Sequence, residues 1–328
     1  MVESVAKSGF KKVARLMMKE YMVVIGILLM SVIFTLSSPY FFTWDNWKNI
    51  LLQSSTVAIV ALGQAIILLT GNFDLSLGRN VCLASCVGAL LMKGQVITNV
   101  AWNPWLAAIA MISLAAFVGL CNGLLTAYVG LPAFIATLGT QYICFGIAKL
   151  ITSATPIPQL PDAIGFLGRG YIGAIPVCVI IMICLYALAQ FLSIKTRVGR
   201  NLYAVGGSRE AAFFTGIKVK KYYLITFVIA GALAGIGGLV LMSRLNSVSL
   251  SNGQNYEFDA VIGSIIGGIS LAGGKGKLIG TMLGVIFLVT LFNGMSQIGI
   301  DPFVQDVLKG FVLVIAITID VLTNKKRT

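Results

Sequence analysis

Apolar residues in this chain run in long blocks rather than in the short periodic stretches of a water-soluble core. "YMVVIGILLMSVIFTLSS" (21–38) opens the series and a block ending in "FVLVIAITIDVL" (311–322) closes it. A helix needs roughly 20 apolar residues to cross the hydrocarbon layer of a membrane. Ten segments meet that demand, several interrupted by glycine: 21–38, 50–70, 77–92, 104–125, 132–153, 173–194, 222–242, 259–273, 278–298 and 303–322. The pattern predicts an all-α membrane protein, a polytopic bundle of about ten transmembrane helices. The Gly71-Asn72 break marks the segment near 70–80 as a candidate re-entrant stretch. Gly231-x-x-x-Gly235 and Gly276-x-x-x-Gly280-x-x-x-Gly284 predict faces where helix backbones approach closely.

Composition agrees with the blocks. Hydrophobic residues make up 58% of the 328 and charged residues only 11%, against about 25% charged in soluble domains. One membrane domain, 21–322, is expected, with a basic segment 1–20 before it and a basic tail 323–328 after it. The leader lacks a small-residue cleavage site, so it reads as an uncleaved anchor.

The net charge of +13 points to membrane topology rather than nucleic acid, because the basic residues gather in short loops beside apolar spans. With the N-terminus in the cytoplasm, ten spans return the C-terminus there. The inner side then carries Lys7, Lys11, Lys12, Arg15 and Lys19, then Arg79, the basic residues from Lys195 to Lys221, Lys275, Lys277, and the tail. Only Lys48, Lys93, Lys149, Arg169, Arg244 and Lys309 of the 24 Lys and Arg fall elsewhere. A multi-pass protein with both termini cytoplasmic follows. The six cysteines lie in apolar runs without C-x-x-C spacing and read as small buried hydrophobes. There is no histidine, which removes the commonest transition-metal ligand and general base.

The longest inner loop, 195–221, holds "GRNLYAVGGSREAAFFTGIKVKK" (199–221). Ser208 is placed to cap a short helix, Glu210 suits its first turn, and Gly216 is placed to end it. Two turns are too short to be stable alone, so Phe213 and Phe214 must pack on this chain or on a partner. "GGISLAGGKGK" (267–277) fails as a phosphate loop. Ile269 or Leu271 stands where the first glycine is required, and neither Lys275 nor Lys277 precedes Ser or Thr. It reads as a tight turn, so no cofactor is expected in this chain.

Polar side chains within the blocks are candidates for a translocation path or for interhelical hydrogen bonds: Gln64, Asn72, Asp74, Asn122, Gln141, Asn293 and Gln297. Asp74 and Asp259 also read as helix caps. Asp306 and Lys309, three apart, are placed to pair.

"GRNLYAVGGSREAAFFTGI" resembles the cytoplasmic coupling segment of permease subunits of bacterial ATP-binding-cassette importers. The branch carrying ribose, galactose and xylose is the most similar, within the branched-chain amino acid and sugar permease superfamily. "ALGQAIILLTGNFDLSLG" (61–78), "PAFIATLGT" (132–140), "YEFDAVIGSIIGGISLAGGKGKLIGT" (256–281) and "DPFVQDVLKGFVLVIAITID" (301–320) resemble segments of that branch in the same order. The resemblance implies a subunit of the bacterial inner membrane that forms the path for a monosaccharide. It implies a separate ATPase subunit docking on Ser208, Arg209, Glu210, Ala211, Ala212, Phe213, Phe214 and Gly216, with Ala211 and Ala212 permitting close approach. It also implies a pair of permeases, identical or related, and an external solute-binding protein. Asp162, Arg169, Arg244 and Glu257, in the predicted external segments, are candidate contacts for that protein. Ser208-Arg209 departs from the Asn-Pro common before Glu-Ala-Ala in the family, which bears on which ATPase is accepted. Other solutes, such as an autoinducer, polyol or nucleoside, fit the same scaffold. An ion-coupled transporter would need buried carboxylates essential for uptake. A membrane enzyme would need a nucleophile–base or metal constellation.

Overall fold

The structure, a computed structural model, describes residues 22–95 and 100–325. The leader 1–20 and the end of the basic tail lie outside the described residues. The architecture is helical throughout: α1 (Met22–Ser37), α2 (Trp44–Leu68), α3 (Leu77–Lys93), α4 (Pro104–Leu124), α5 (Ala133–Thr152), α6 (Asp162–Arg169), α7 (Val177–Lys195), α8 (Arg197–Gly207), α9 (Arg209–Phe214), α10 (Val219–Leu245), α11 (Tyr256–Ile266), α12 (Leu278–Gln297) and α13 (Pro302–Lys325). A π-helical turn, Leu125–Val129, extends α4. Among the described residues strand is confined to two short antiparallel pairs, Ile157–Pro158 with Ser247–Val248 and Tyr171–Ile172 with Ile175–Pro176.

Among the described residues seven helices are long and apolar enough to cross a membrane: α2, α4 with its π-helical turn, α5, α7, α10, α12 and α13. The other three predicted blocks differ. The described part of α1 has 16 residues, α3 has 17, and α11 has 11. At 1.5 Å per residue α11 is about 16 Å long, half the hydrocarbon thickness, so the block 259–273 is not one spanning helix.

The helix ends follow local chemistry. Thr43 caps α2 by accepting the Asn46 N–H, and Asn103 caps α4 just before Pro104. α2 therefore starts six residues before the predicted 50. α10 sits at the centre, packed on α4, α2 and α3. Its Gly231 and Gly235 lie against the α4 backbone at Ala115 and Ile112, as the glycine spacing predicts. Gly280 and Gly284 set α12 against Gly267 and Gly263 of the α11 segment in the same way. The outer faces of α4, α5, α7 and α13 expose large apolar side chains such as Phe117, Ile143, Phe191 and Phe311, the surface a helix presents to lipid.

The bundle has two ends. Leu69, closing α2, meets α8 and the turn 270–276, whose Gly274 N–H donates to the Leu69 carbonyl at 2.9 Å. At the opposite end, reached along the 27 residues of α10, lie α6 and the strand pair made by Ile157–Pro158 and Ser247–Val248. Two passages between these ends are interrupted. After α2 the chain re-enters the bundle non-helically, and Asp74, Leu75 and Ser76 are buried. Side chains satisfy their backbone: Asp74 N–H donates to Gln64 Oε1 (3.3 Å), Leu75 N–H to Thr137 Oγ1 (3.1 Å) and Ser76 N–H to Asp74 Oδ1 (2.7 Å). Non-helical backbone at membrane depth survives only where protein encloses it in this way. After α10 the segment up to Asn255 does the same from the other end, with Gly253 packed on Gly78 and Val81.

Three sequence expectations are corrected here. Arg79 is not in a solvent loop: it sits in the first turn of α3, donates to the Leu250 carbonyl at 3.2 Å, and stacks on Phe145. Lys309 pairs with Asp259 at 2.9 Å instead of with Asp306, because α13 packs on α11 and brings the two side chains together. Of the six free cysteines four are buried, but Cys121 is half-buried and Cys184 is exposed.

Candidate functional site

The α8–α9 lever is built from two caps in series. Thr196 Oγ1 accepts the Gly199 N–H at the start of α8, and Ser208 Oγ accepts the Ala211 N–H at the start of α9, both at 3.2 Å. Gly216, at φ +81°, ends α9, and the Ile217 N–H returns to the Ala212 carbonyl at 3.0 Å. That left-handed turn requires glycine. Ala212 is buried with Val205 and Val219. The sequence expected both alanines to face a partner; the structure gives Ala212 to the chain's own core and leaves Ala211 exposed. Glu210 and Arg209 are exposed, and the Arg209 guanidinium lies 5.9 Å from the Tyr223 ring.

Phe213 and Phe214 turn outward, 68% and 85% exposed, with their rings 5.9 Å apart and nearly perpendicular. They border a groove of about 980 Å³ walled by Arg209, Lys218, Lys220, Lys221 and Tyr128. Two adjacent, outward-facing aromatics on a six-residue helix form an exposed apolar patch rather than a core. Behind them the lever is fastened to the bundle. Tyr203 Oη donates to the Gly276 carbonyl at 2.8 Å, and Asn201 Nδ2 donates to Tyr222 Oη at 2.8 Å. Burial pushes the Tyr203 phenol above its ordinary range, so it stays a neutral donor.

The seven polar residues predicted to mark a path do not share one. Gln64, Asp74 and Asn122 come together in the enclosed α2–α3 break. Asn122 Nδ2 donates to Ser76 Oγ (2.9 Å) and Asp74 Oδ2 (3.3 Å), while Thr140 Oγ1 donates to Asn122 Oδ1 at 2.6 Å. Asp74 makes an Asx turn into α3, and Ser76 is the residue at the cap position. Gln141 Nε2 donates to Glu257 Oε1 at 3.4 Å, while Asn72 donates to Thr70 beside the break. Asn293 and Gln297 bind Asn46, at 2.9 and 3.1 Å, near the opposite end. These contacts tie interrupted or crossing helices together.

Of the residues expected in external segments, Asp162 and Arg169 are at the end opposite α9, 3.7 Å apart. Arg244 reaches inward and donates to the Leu52 carbonyl at 2.7 Å. Glu257 is 2% exposed, packed against Gly78 in the interior. It is therefore corrected from a surface contact to an interior residue, because the segment bearing it re-enters the bundle.

A cavity of about 600 Å³ opens between α2, the end of α10, α11, α12 and α13, in the half of the bundle away from α9. Asn49 and Gln53, Tyr256, Asp259 with Lys309, and Arg244 line it. Asn49 was missed because the predicted span began at residue 50, and Gln53, inside that span, was not singled out from it. Their i, i+4 spacing within a helix that starts at Trp44 is the signal that would have found them.

A bundle of long apolar helices, with interrupted passages enclosed by protein and a short exposed helix at one end, defines a polytopic permease. The chain belongs to the family described as branched-chain amino acid transport system / permease component, whose profile matches residues 46–317. It is 36% identical over 298 residues to the ribose import permease protein of Bacillus subtilis, covering 90% of this chain and 91% of that one. It is 34% identical over 323 residues to the galactose/methyl galactoside import permease protein of Escherichia coli K12, covering 94% and 96%. To the D-allose transport system permease protein of the same strain it is 34% identical over 300 residues, covering 91% and 90%. No solved structure matches at a comparable level.

Proposed function

We propose that this chain is the membrane subunit of an ATP-driven importer and forms the path for a monosaccharide of the ribose or galactose type. Family membership and the names of the similar import permeases support transport of a sugar. The observation that carries the ATP-driven reading is α9, capped at both ends yet holding Phe213 and Phe214 in solvent. A separate ATPase subunit receives α9 in a cleft and supplies the work. The exposed Ala211 allows close approach and the basic groove favours an acidic rim on the partner. The α9 end is cytoplasmic, in keeping with the basic residues from Lys195 to Lys221, and both termini lie on that side in the bacterial inner membrane. The opposite end, with Asp162 and Arg169, receives a solute-binding protein, and two permeases assemble on two ATPases.

The test is reconstitution of the permease with its ATPase and binding protein in proteoliposomes, followed by ATP-dependent uptake across a panel of pentoses and hexoses. Uptake of at least one sugar, abolished without ATP, is expected. Accumulation of solute by the purified chain alone, against a gradient and without a nucleotide-hydrolysing partner, would overturn the proposal.

A further inference from the structure

Asn49 and Gln53 are exposed on one face of α2, and Gln53 lies about 15 Å along the helix from its start at 1.5 Å per residue. Among the described residues neither amide has a side-chain hydrogen-bond partner. An amide facing hydrocarbon costs several kcal/mol by transfer from water (about 4–8 into an alkane), whereas one facing a wet path costs little. Both line the 600 Å³ cavity, a size within the roughly 300–1,000 Å³ of small-molecule sites.

The charges around that cavity balance. Asp259 and Asp306 face Lys309 and Arg244, so their formal sum is zero and neither a cation nor an anion is favoured. Lys309 is held between Asp259 at 2.9 Å and the Phe292 ring at 5.1 Å. Arg244 is anchored on the Leu52 carbonyl and Tyr256 Oη lies 3.3 Å from Thr56 Oγ1. The wall thus offers fixed donors, fixed acceptors and two free amides that can do either, beside the apolar surfaces of Leu288 and Val289. A ring of hydroxyls on a carbon frame matches this mixture.

We infer that the cavity is the point on the path where the permease itself contacts its solute, an uncharged polyhydroxylated molecule of monosaccharide size, through Asn49 and Gln53. The inference rests on the proposed sugar transport. It places the contact in the half facing the binding protein and moves it away from the enclosed cluster at Asp74.

The experiment uses the complete complex in proteoliposomes with radiolabelled D-ribose, D-galactose and D-allose as probes. Asn49→Leu and Gln53→Leu should each lower uptake at least tenfold and change the ratio among the three sugars, with assembly and ATP hydrolysis retained. A general structural defect would lower all three in proportion. In parallel, Gln53→Cys should react with a membrane-impermeant thiol reagent added at the binding-protein face, above the background of the unsubstituted protein, and the transported sugar should slow the reaction. Uptake of all three sugars within twofold of the unsubstituted complex in both leucine variants would overturn the inference. So would an unaltered ratio, or absence of labelling at position 53. If the unsubstituted complex carries none of the three sugars, it is the sugar reading that fails, and labelling at position 53 still decides whether the cavity is a wet path.

Discussion

Gly206 and Gly207 are neighbours at the end of α8, and the structure separates them sharply. A Cβ at Gly206 would collide with the Leu69 carbonyl oxygen and come within 2.5 Å of the Gly274 nitrogen, while a Cβ at Gly207 would meet nothing within 4 Å. The atoms struck at Gly206 are backbone, and they form the hydrogen bond between Gly274 N–H and the Leu69 carbonyl, so no rotamer change relieves the clash. Overpacking of this kind costs about 1–3 kcal/mol, and loss of an enclosed backbone hydrogen bond adds about 1–3 kcal/mol. Gly206→Ala should therefore lower the thermal midpoint of the purified permease by several degrees. Gly207→Ala should leave it unchanged. The same joint carries the lever to α2 and the turn 270–276, and coupling between sites is commonly only about 1–3 kcal/mol. Gly206→Ala should accordingly raise the ATP hydrolysed per solute imported by about tenfold in the reconstituted complex, with Gly207→Ala as the matched control. Equal behaviour of the two variants in both assays would refute the assignment of this joint.

Lys309→Met strips Asp259 of its partner in the cavity wall; losing a partly exposed charged contact costs about 1–3 kcal/mol, and the double variant with Asp259→Asn should recover most of it, measured as thermal midpoints in a double-mutant cycle. Phe214→Ala should keep stability within about 0.5 kcal/mol, as expected for an exposed side chain, yet weaken association with the ATPase at least tenfold in a binding titration, the loss expected of an aromatic anchor. Ser208→Ala removes the α9 cap, worth about 1 kcal/mol, and should show as faster amide exchange confined to residues 209–216.

The lever was legible in the sequence because its boundaries rest on local chemistry. Ser208 accepts from Ala211, and Gly216 takes the left-handed turn, whatever surrounds them. The helical membrane class was legible for the same kind of reason, since crossing lipid imposes a length, but ten blocks were predicted and seven helices among the described residues have that length. The interrupted passages were not. "DAVIGSIIGGISLAG" is evenly apolar, and apolar composition does not distinguish a helix from a turn enclosed by other helices; only tertiary contacts place the stop at Gly267. Glu257 shows the same limit, since a carboxylate after a polar stretch reads as a surface charge until the stretch is seen to re-enter. The cavity was missed because its wall is assembled from α2, α10, α11, α12 and α13, which only the tertiary structure brings together, and because Thr43 starts α2 ahead of the apolar block and carries Asn49 into the helix.

One short helix joins the cavity wall to the turn beside α8. α11 begins at Tyr256, places Asp259 in the cavity wall, and ends at the turn that α8 grips through Tyr203 and Gly206. Its backbone approaches α12 at glycines, Gly263 beside Gly284 and Gly267 beside Gly280, with the Val285 side chain packed against Gly263. Packed interiors pass strain on rather than dissipating it. A displacement of the turn 267–277 would be passed on to α11 and α12, and Asp259 is a residue of the cavity wall that α11 carries. At 11 residues α11 does not itself span the hydrocarbon layer, so its position is set by its packing on α12, α2 and α13 rather than by anchors at both faces of the membrane.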